Sequence, residues 1–159
     1  MKAKKLFALI LAVLMMLSVC ACGVEEEYAY EPSYKVMHEG QDVAIIAAGS
    51  FYQKGEEVVH LLAEKGIDAT LINPRYLHAV DAPTLDALKA HHRLVVTLED
   101  GCKDGGFGER IAAYYGPTDM KVLVCGVKKG LYDRFNQHDL LEENGLLDEQ
   151  IVEDALRLM

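Results

Sequence analysis

Tryptophan is missing from this sequence, and proline and cysteine occur only four times each. So few prolines leave no Pro-rich spacer or polyproline tract. Four cysteines without a regular spacing exclude a disulfide framework and a structural zinc site. Nothing repeats at a solenoid period. Basic residues are scarce, 16 against 25 acids, for a formal net charge of −9. The basic cluster lies within the first five residues, so no nucleic-acid-binding surface is expected. No apolar run reaches the roughly 18 residues of a membrane-spanning helix. What is present, 51% hydrophobic and 26% charged over 159 residues, is the composition of one globular domain.

The N-terminus reads as a targeting segment. "MKAKK" is a basic start, "LFALILAVLMML" a twelve-residue apolar stretch, and "SVCACG" a run of small residues and cysteines. This order suits a secretory signal better than a membrane span. "VCAC" resembles a bacterial lipobox, in which the signal is cut before a cysteine that becomes diacylated. Cys22 fits that cysteine, with Ala21 and Val19 upstream. Cleavage there leaves 138 residues and moves the formal charge from −9 to −12, since three lysines and no acids are lost. The expected location is extracytoplasmic, anchored to the membrane by lipid, or cytoplasmic if the signal is not used. Residues 1–21 are thus read as signal, 22–41 as an acidic, tyrosine-rich tether becoming ordered near Tyr34, and 42–159 as the domain.

From Asp42 the pattern is regular. "DVAIIAAG" is a short, nearly continuous apolar run that suits a strand buried on both faces. "SFYQKGEEVVHLLAEKG" follows with an apolar helical stripe, Ser50 as candidate cap and Gly66 as stop. "IDATLINP" is a second strand, ended by Pro74. "DAPTLDALKAHH" is a short helix capped by Asp81 or Thr84, with His91 and His92 as helix-end cations. "RLVVTLED" and "MKVLVCGV" are further strands, separated by the helix "GFGERIAAYYG". "HDLLEENG" and "LDEQIVEDALRLM" close the chain as helices. Strands alternating with helices predict an α/β fold: a three-layer α/β/α sandwich around a mostly parallel sheet of about five strands. Right-handed crossovers then bring "AAGS", "INPRY", "LEDGCKDGG" and "CGVKKG" to one edge, where a site belongs.

The stretch "LEDGCKDGGFGERI" at that edge has the look of a phosphate cradle. Gly105, Gly106 and Gly108 would let backbone N–H groups converge at a helix N-terminus. No Lys-Ser/Thr pair follows, however, and Glu99, Asp100 and Asp104 repel a phosphate. A tight connector is the other reading, with Gly105 or Gly106 at positive φ and Phe107 packed under the sheet edge. Glu99 and Asp100 are adjacent on a strand and point to opposite sides, so a helix cap or a solvated turn suits them better than a shared catalytic site. Arg75 in "NPRY" could grip a carboxylate or phosphate, or pair with Asp81 or with an acid across an interface. Asn73, Arg75, Glu99, Asp100, Gly105, Gly106 and Gly108 are the candidate ligand or interface residues. No catalytic residue and no metal ligand is assigned. Cys102 and Cys125 could pair, while Cys125, ending an apolar run, reads equally as a buried thiol.

"EGQDVAIIAAGSF", "GIDATLINPRYLHAVD", "HHRLVVTLEDGCKDGGFGERIAAYYG" and "MKVLVCGVKKGLYDRF" follow in the order seen in one family. Together they resemble the C-terminal domain of 1-deoxy-D-xylulose-5-phosphate synthase, of the transketolase family, from about Tyr34 to the end. The resemblance implies an antiparallel edge strand and a place in subunit contacts. The complete family enzyme joins pyruvate to glyceraldehyde 3-phosphate using thiamine diphosphate and magnesium, held between two other domains. The diphosphate-and-metal motif of those domains is not found here, so this chain alone is expected to bind no cofactor and to be non-catalytic. The expected role is a lipid-anchored binding or interaction module. Expected partners are the membrane, a second copy or thiamine-binding subunits. The alternative is a subunit or fragment of a thiamine-dependent synthase, in isoprenoid precursor biosynthesis.

Overall fold

The computed structural model describes residues 33–159. The signal, Cys22 and the tether up to Pro32 lie outside the described residues. Strands β1 (Lys35–His38), β2 (Asp42–Ala47), β3 (Thr70–Asn73), β4 (His92–Cys102) and β5 (Lys121–Val127) alternate, after β2, with helices. These are α1 (Tyr52–Glu64), α2 (Ala82–Leu88), α3 (Phe107–Tyr115), α4 (Gln137–Glu143) and α5 (Asp148–Leu158). The strands form one five-stranded sheet in the order β1-β3-β2-β4-β5. β3, β2, β4 and β5 run parallel, and β1 pairs antiparallel with β3. The three-layer, mostly parallel arrangement agrees with the expectation from the sequence.

Period-two alternation builds both cores. On β2, Val43, Ile45 and Ala47 face one side while Ala44 and Ile46 face the other, all fully buried. On β4, Leu94, Val96 and Leu98 join the first set and Val95 the second. The first face is covered by Val58 and Leu62 of α1 and by Ile151, Val152 and Ala155 of α5. Lys54 and Asp148 tie these two helices together at 2.6 Å. The second face is covered by Leu85 and Leu88 of α2 and by Phe107, Ile111 and Tyr115 of α3. The Tyr115 hydroxyl donates to the Leu85 carbonyl at 2.8 Å, joining α3 to α2.

Several local readings shift. β1 begins at Lys35, ahead of the regular pattern at Asp42. Its four residues are all exposed, so it carries no alternating buried signature. Ser50 does not cap α1; it lies in a 3-10 turn, Gly49–Phe51, and its hydroxyl donates to Asp100 Oδ2 at 2.7 Å. α2 stops at Leu88, and His92 is the first residue of β4, opposite Asp42. His92 is therefore not a helix-end cation. Its Nδ1 lies 3.1 Å from the Leu88 carbonyl and its Nε2 2.8 Å from Thr70 Oγ1. Burial holds its pKa below the ordinary histidine value. Gly66, at φ +83°, ends the α1 turn as expected.

Candidate functional site

Glu99 and Asp100 stand at the C-terminal end of β4, where the register with β5 breaks between Leu98 and Cys102. Strand alternation sends them to opposite faces. Glu99 shares the face of Val95 and turns under α3. Asp100 shares the face of Leu98 and reaches the turn that precedes α1. This separation removes the pair as a joint acid/base or metal site.

Glu99 is only 7% exposed. Its Oε2 accepts from the Phe107 N–H and its Oε1 from the Gly108 N–H, both at 2.9 Å. These are the first two N–H groups of α3, which an isolated helix leaves unpaired. The carboxylate also sits at the positive end of the helix dipole. The glycines around it now have a cause. A Cβ on Gly106 would lie 2.5 Å from Glu99 Oε2 and 2.6 Å from the Cys102 carbonyl oxygen. On Gly126 it would lie 3.2 Å from Glu99 Cγ. Gly108 backs onto Thr97, whose hydroxyl oxygen a Cβ would approach to 2.4 Å. Gly105 takes φ +78°, and its N–H donates to Glu109 Oε2 at 2.8 Å. The loop is thus a cradle filled from within, by the carboxylate that precedes it. A diphosphate does not fit, because the N–H groups that would take it are engaged and Asp104 stands in the same loop.

The other candidates have structural partners. Asp100 accepts from Ser50, beside Gly49 at φ +58°. Asn73 Oδ1 accepts from the Arg75 N–H at 2.9 Å, which fixes the turn after β3. Arg75 takes φ +53°, and its Nε donates to the Ser33 carbonyl at 3.1 Å while the guanidinium lies over Tyr76. It makes no pair with Asp81. Asp81 is buried and committed elsewhere: it caps α2 through Thr84 and accepts from the Tyr34 N–H at 2.6 Å. Cys102 and Cys125 are both free; Cys125 is buried on β5 beside Leu98, and burial pushes its thiol up to about 12.

Two features at the ends of the sheet were not singled out from the sequence. At the edge formed by the C-terminal ends of β4 and β5, a groove of about 420 Å³ runs between Asp100–Asp104 and the loop from Val127 to Phe135. Leu131, Tyr132 and Phe135 are exposed on that loop. The signal was present in "KKGLYDRF", where three large apolar residues stand among charges without helical or strand spacing. At the opposite edge a groove of about 550 Å³ is lined by Val36, Glu39, Thr70, Leu88 and His92, among others. Among the described residues no group of three or more His, Cys, Asp or Glu is placed to hold a metal.

The chain's relatives agree with this architecture. Residues 33–151 match the family described as "Transketolase, C-terminal domain". The 1-deoxy-D-xylulose-5-phosphate synthase of Alkaliphilus oremlandii is 35% identical over 118 residues, 73% of this chain and 19% of the relative. The synthase of Symbiobacterium thermophilum is 36% identical over 129 residues, 79% of this chain and 20% of the relative. Among solved structures, a split gene transketolase described as an inactive beta4 tetramer aligns with TM-score 0.70 and 27% identity, over 83% of this chain and 43% of that one. This chain therefore spans about a fifth of the synthases it matches. The family match and the parallel sheet with its antiparallel β1 edge lead to one conclusion: the chain belongs to the transketolase C-terminal domain family.

Proposed function

We propose that this chain is a membrane-tethered interaction module, a transketolase-type C-terminal domain used for binding and without catalysis of its own. One observation carries the reading: Glu99 fills the only cradle-like loop that the sequence offered at the site edge. The neighbouring loop, in contrast, leaves large apolar side chains in solvent. Contact surfaces are built from such side chains, and an anion site has no use for them. The signal-like N-terminus and Cys22 supply the tether, and the acidic stretch after Cys22 is the spacer. The alignment leaves four fifths of each synthase without a counterpart in this chain, and the family resemblance would place thiamine diphosphate and magnesium in that remainder.

Two measurements test the proposal. Mass spectrometry of the protein from a native membrane fraction is expected to find the N-terminus at Cys22 with a diacylglyceryl modification. An unmodified N-terminus on a cytosolic product would sink the tether. Purified chain supplied with thiamine diphosphate, magnesium, pyruvate and glyceraldehyde 3-phosphate is expected to form no product, and turnover by the chain alone would overturn the non-catalytic reading.

The likeness to a split gene transketolase supports a second reading, in which the chain completes a synthase whose thiamine-binding domains are separate polypeptides. Product formation by those domains only when this chain is added would establish it.

A further inference from the structure

Exposed apolar side chains gather at one edge of the sheet. Among the described residues eight large apolar ones stand in solvent, and five of these lie at the edge where the parallel strands end. Tyr76 and Leu77 follow β3, each 41% exposed, while Leu131, Tyr132 and Phe135 follow β5. Leu131 is fully in solvent, at 105% of its reference area. The loop beneath it is held in place. Asp104 Oδ2 accepts from the Lys129 N–H at 3.0 Å, and Asn144 Oδ1 from the Lys128 N–H at 2.8 Å. The Tyr132 hydroxyl donates to the Lys128 carbonyl at 2.6 Å. An apolar tip on so fixed a base needs little further ordering to bind.

Position and charge together indicate what this edge meets. Lys35 pairs with Asn73, the last residue of β3, and the Ser33 carbonyl accepts from Arg75. The described chain therefore begins at the same edge. Only residues 22–32 separate it from Cys22, and eleven residues span at most about 40 Å. A chain tethered through Cys22 thus keeps this edge close to the bilayer. On the loop after β5, Lys128, Lys129 and Arg134 are opposed by Asp133. Arg75 and Lys103, at the ends of β3 and β4, add to the cations; Glu99, Asp100 and Asp104 oppose them. Cations outnumber acids here, the reverse of a chain whose formal charge is −9. Leu and aromatic side chains flanked by Lys and Arg suit an anionic bilayer interface.

We propose that this edge docks on the anionic phospholipid surface to which the chain is tethered. Leu131 enters the boundary between headgroups and acyl chains, with Tyr132 and Phe135 at headgroup level. Lys128, Lys129 and Arg134 meet the lipid phosphates, and Tyr76 and Leu77 give the edge a second contact. The proposal rests on the tethered-module reading and names the surface that the module binds. One loop docks weakly by itself. The tether supplies the effective concentration that makes the contact hold.

The absence of tryptophan makes the test direct, because Leu131→Trp introduces a single indole reporter. The full chain is reconstituted through its own N-terminus into phosphatidylcholine vesicles with and without phosphatidylglycerol. At about 0.1 M salt, phosphatidylglycerol is expected to shift the indole emission to the blue. Lipids brominated in the upper acyl chain are expected to quench it, at a depth of about 5–10 Å. Both effects fade at about 1 M salt. Leu156→Trp, exposed on α5, is expected to show neither. Lys128→Gln with Lys129→Gln is expected to weaken docking on the order of tenfold. Circular dichroism stays unchanged, because the bonds that fix the loop use the backbone groups of these lysines. An indole that remains exposed and unquenched in anionic vesicles overturns the proposal. So does equal quenching at positions 131 and 156, or quenching that phosphatidylglycerol does not strengthen. A blue shift that rises with protein density and escapes the brominated lipids assigns the face to another protein, and overturns it too. Quenching at position 131 in a chain unmodified at Cys22 keeps the docking and removes the lipid anchor; a lipidated chain with an unquenched indole does the reverse.

Discussion

Glu99 shows how one residue settles the meaning of a motif. Its carboxylate pairs with two N–H groups of α3 that would otherwise be orphaned, and three glycines near it are shaped by its presence. Replacing it removes a cap and leaves a void among buried groups. Loss of a cap costs about 1 kcal/mol, and an unsatisfied buried donor about 1–3 kcal/mol. Glu99→Ala is therefore expected to lower stability by about 2–3 kcal/mol, read as an earlier midpoint in urea denaturation. A change within about 0.5 kcal/mol would mean that water replaces the carboxylate without loss. The pairing was half legible in advance. Alternation along "TLEDG" separates Glu99 from Asp100, and a cap was among the readings for either. Which of the two turned inward was not legible, because that depends on which sheet face α3 covers.

At the scale of elements, the closeness of α1 to the sheet makes a sharp prediction. Alanine gains about 1 kcal/mol over glycine in a helix interior. At Gly55, however, its Cβ would lie 2.6 Å from Ala47 Cβ and 3.2 Å from Leu71 Cδ1. Overpacking of this kind costs about 1–3 kcal/mol, so Gly55→Ala is expected to destabilise on balance. A higher melting temperature would show that α1 can slide away from β2. A second prediction concerns the junction of β3, β4 and the β1–β2 turn. The Gly40 N–H donates to Thr70 Oγ1, which lies 2.8 Å from His92 Nε2. Burial lowers the His92 pKa, with His91 adding to the effect and the Leu88 carbonyl and Asp42 opposing it. As pH falls, the unfolded chain therefore takes up this proton before the folded one. The stabilisation is complete above about pH 6.5 and is lost progressively beneath it. Denaturation midpoints at about pH 7.5 and about pH 5.5 are expected to differ more in the wild type than in His92→Gln. Equal losses in the two proteins would assign the pH dependence to other groups. Neither feature was readable from the helix and strand periods, since both depend on which elements become neighbours.

For the whole molecule, Cys125 reports on the fold as a unit. It is buried against the α5 side of the sheet, and its thiol is pushed up to about 12. Only the thiolate reacts readily with alkylating agents. Cys102, at the exposed end of β4, is expected to be labelled by iodoacetamide in the native state. Cys125 is expected to react only as fast as the domain unfolds globally. Labelling of both at equal rates under native conditions would show that β5 opens locally.

The amino-acid sequence by itself determined the layered α/β fold, the parallel strands and the family. Those depend on local periods, turn residues and blocks of residues in order, and each of these is carried by a contiguous stretch. It also identified the loops that meet at the strand ends, because chain connectivity and crossover handedness place them. Only the tertiary structure decided what those loops do. Glu99 fills the cradle because α3 lies on its side of the sheet, Arg75 turns to Ser33 because β1 brings the chain back along β3, and Asp81 is spent on Tyr34 and Thr84. Side-chain partners 22 to 50 residues apart are set by packing in three dimensions, for which no local pattern in the chain supplies a signal.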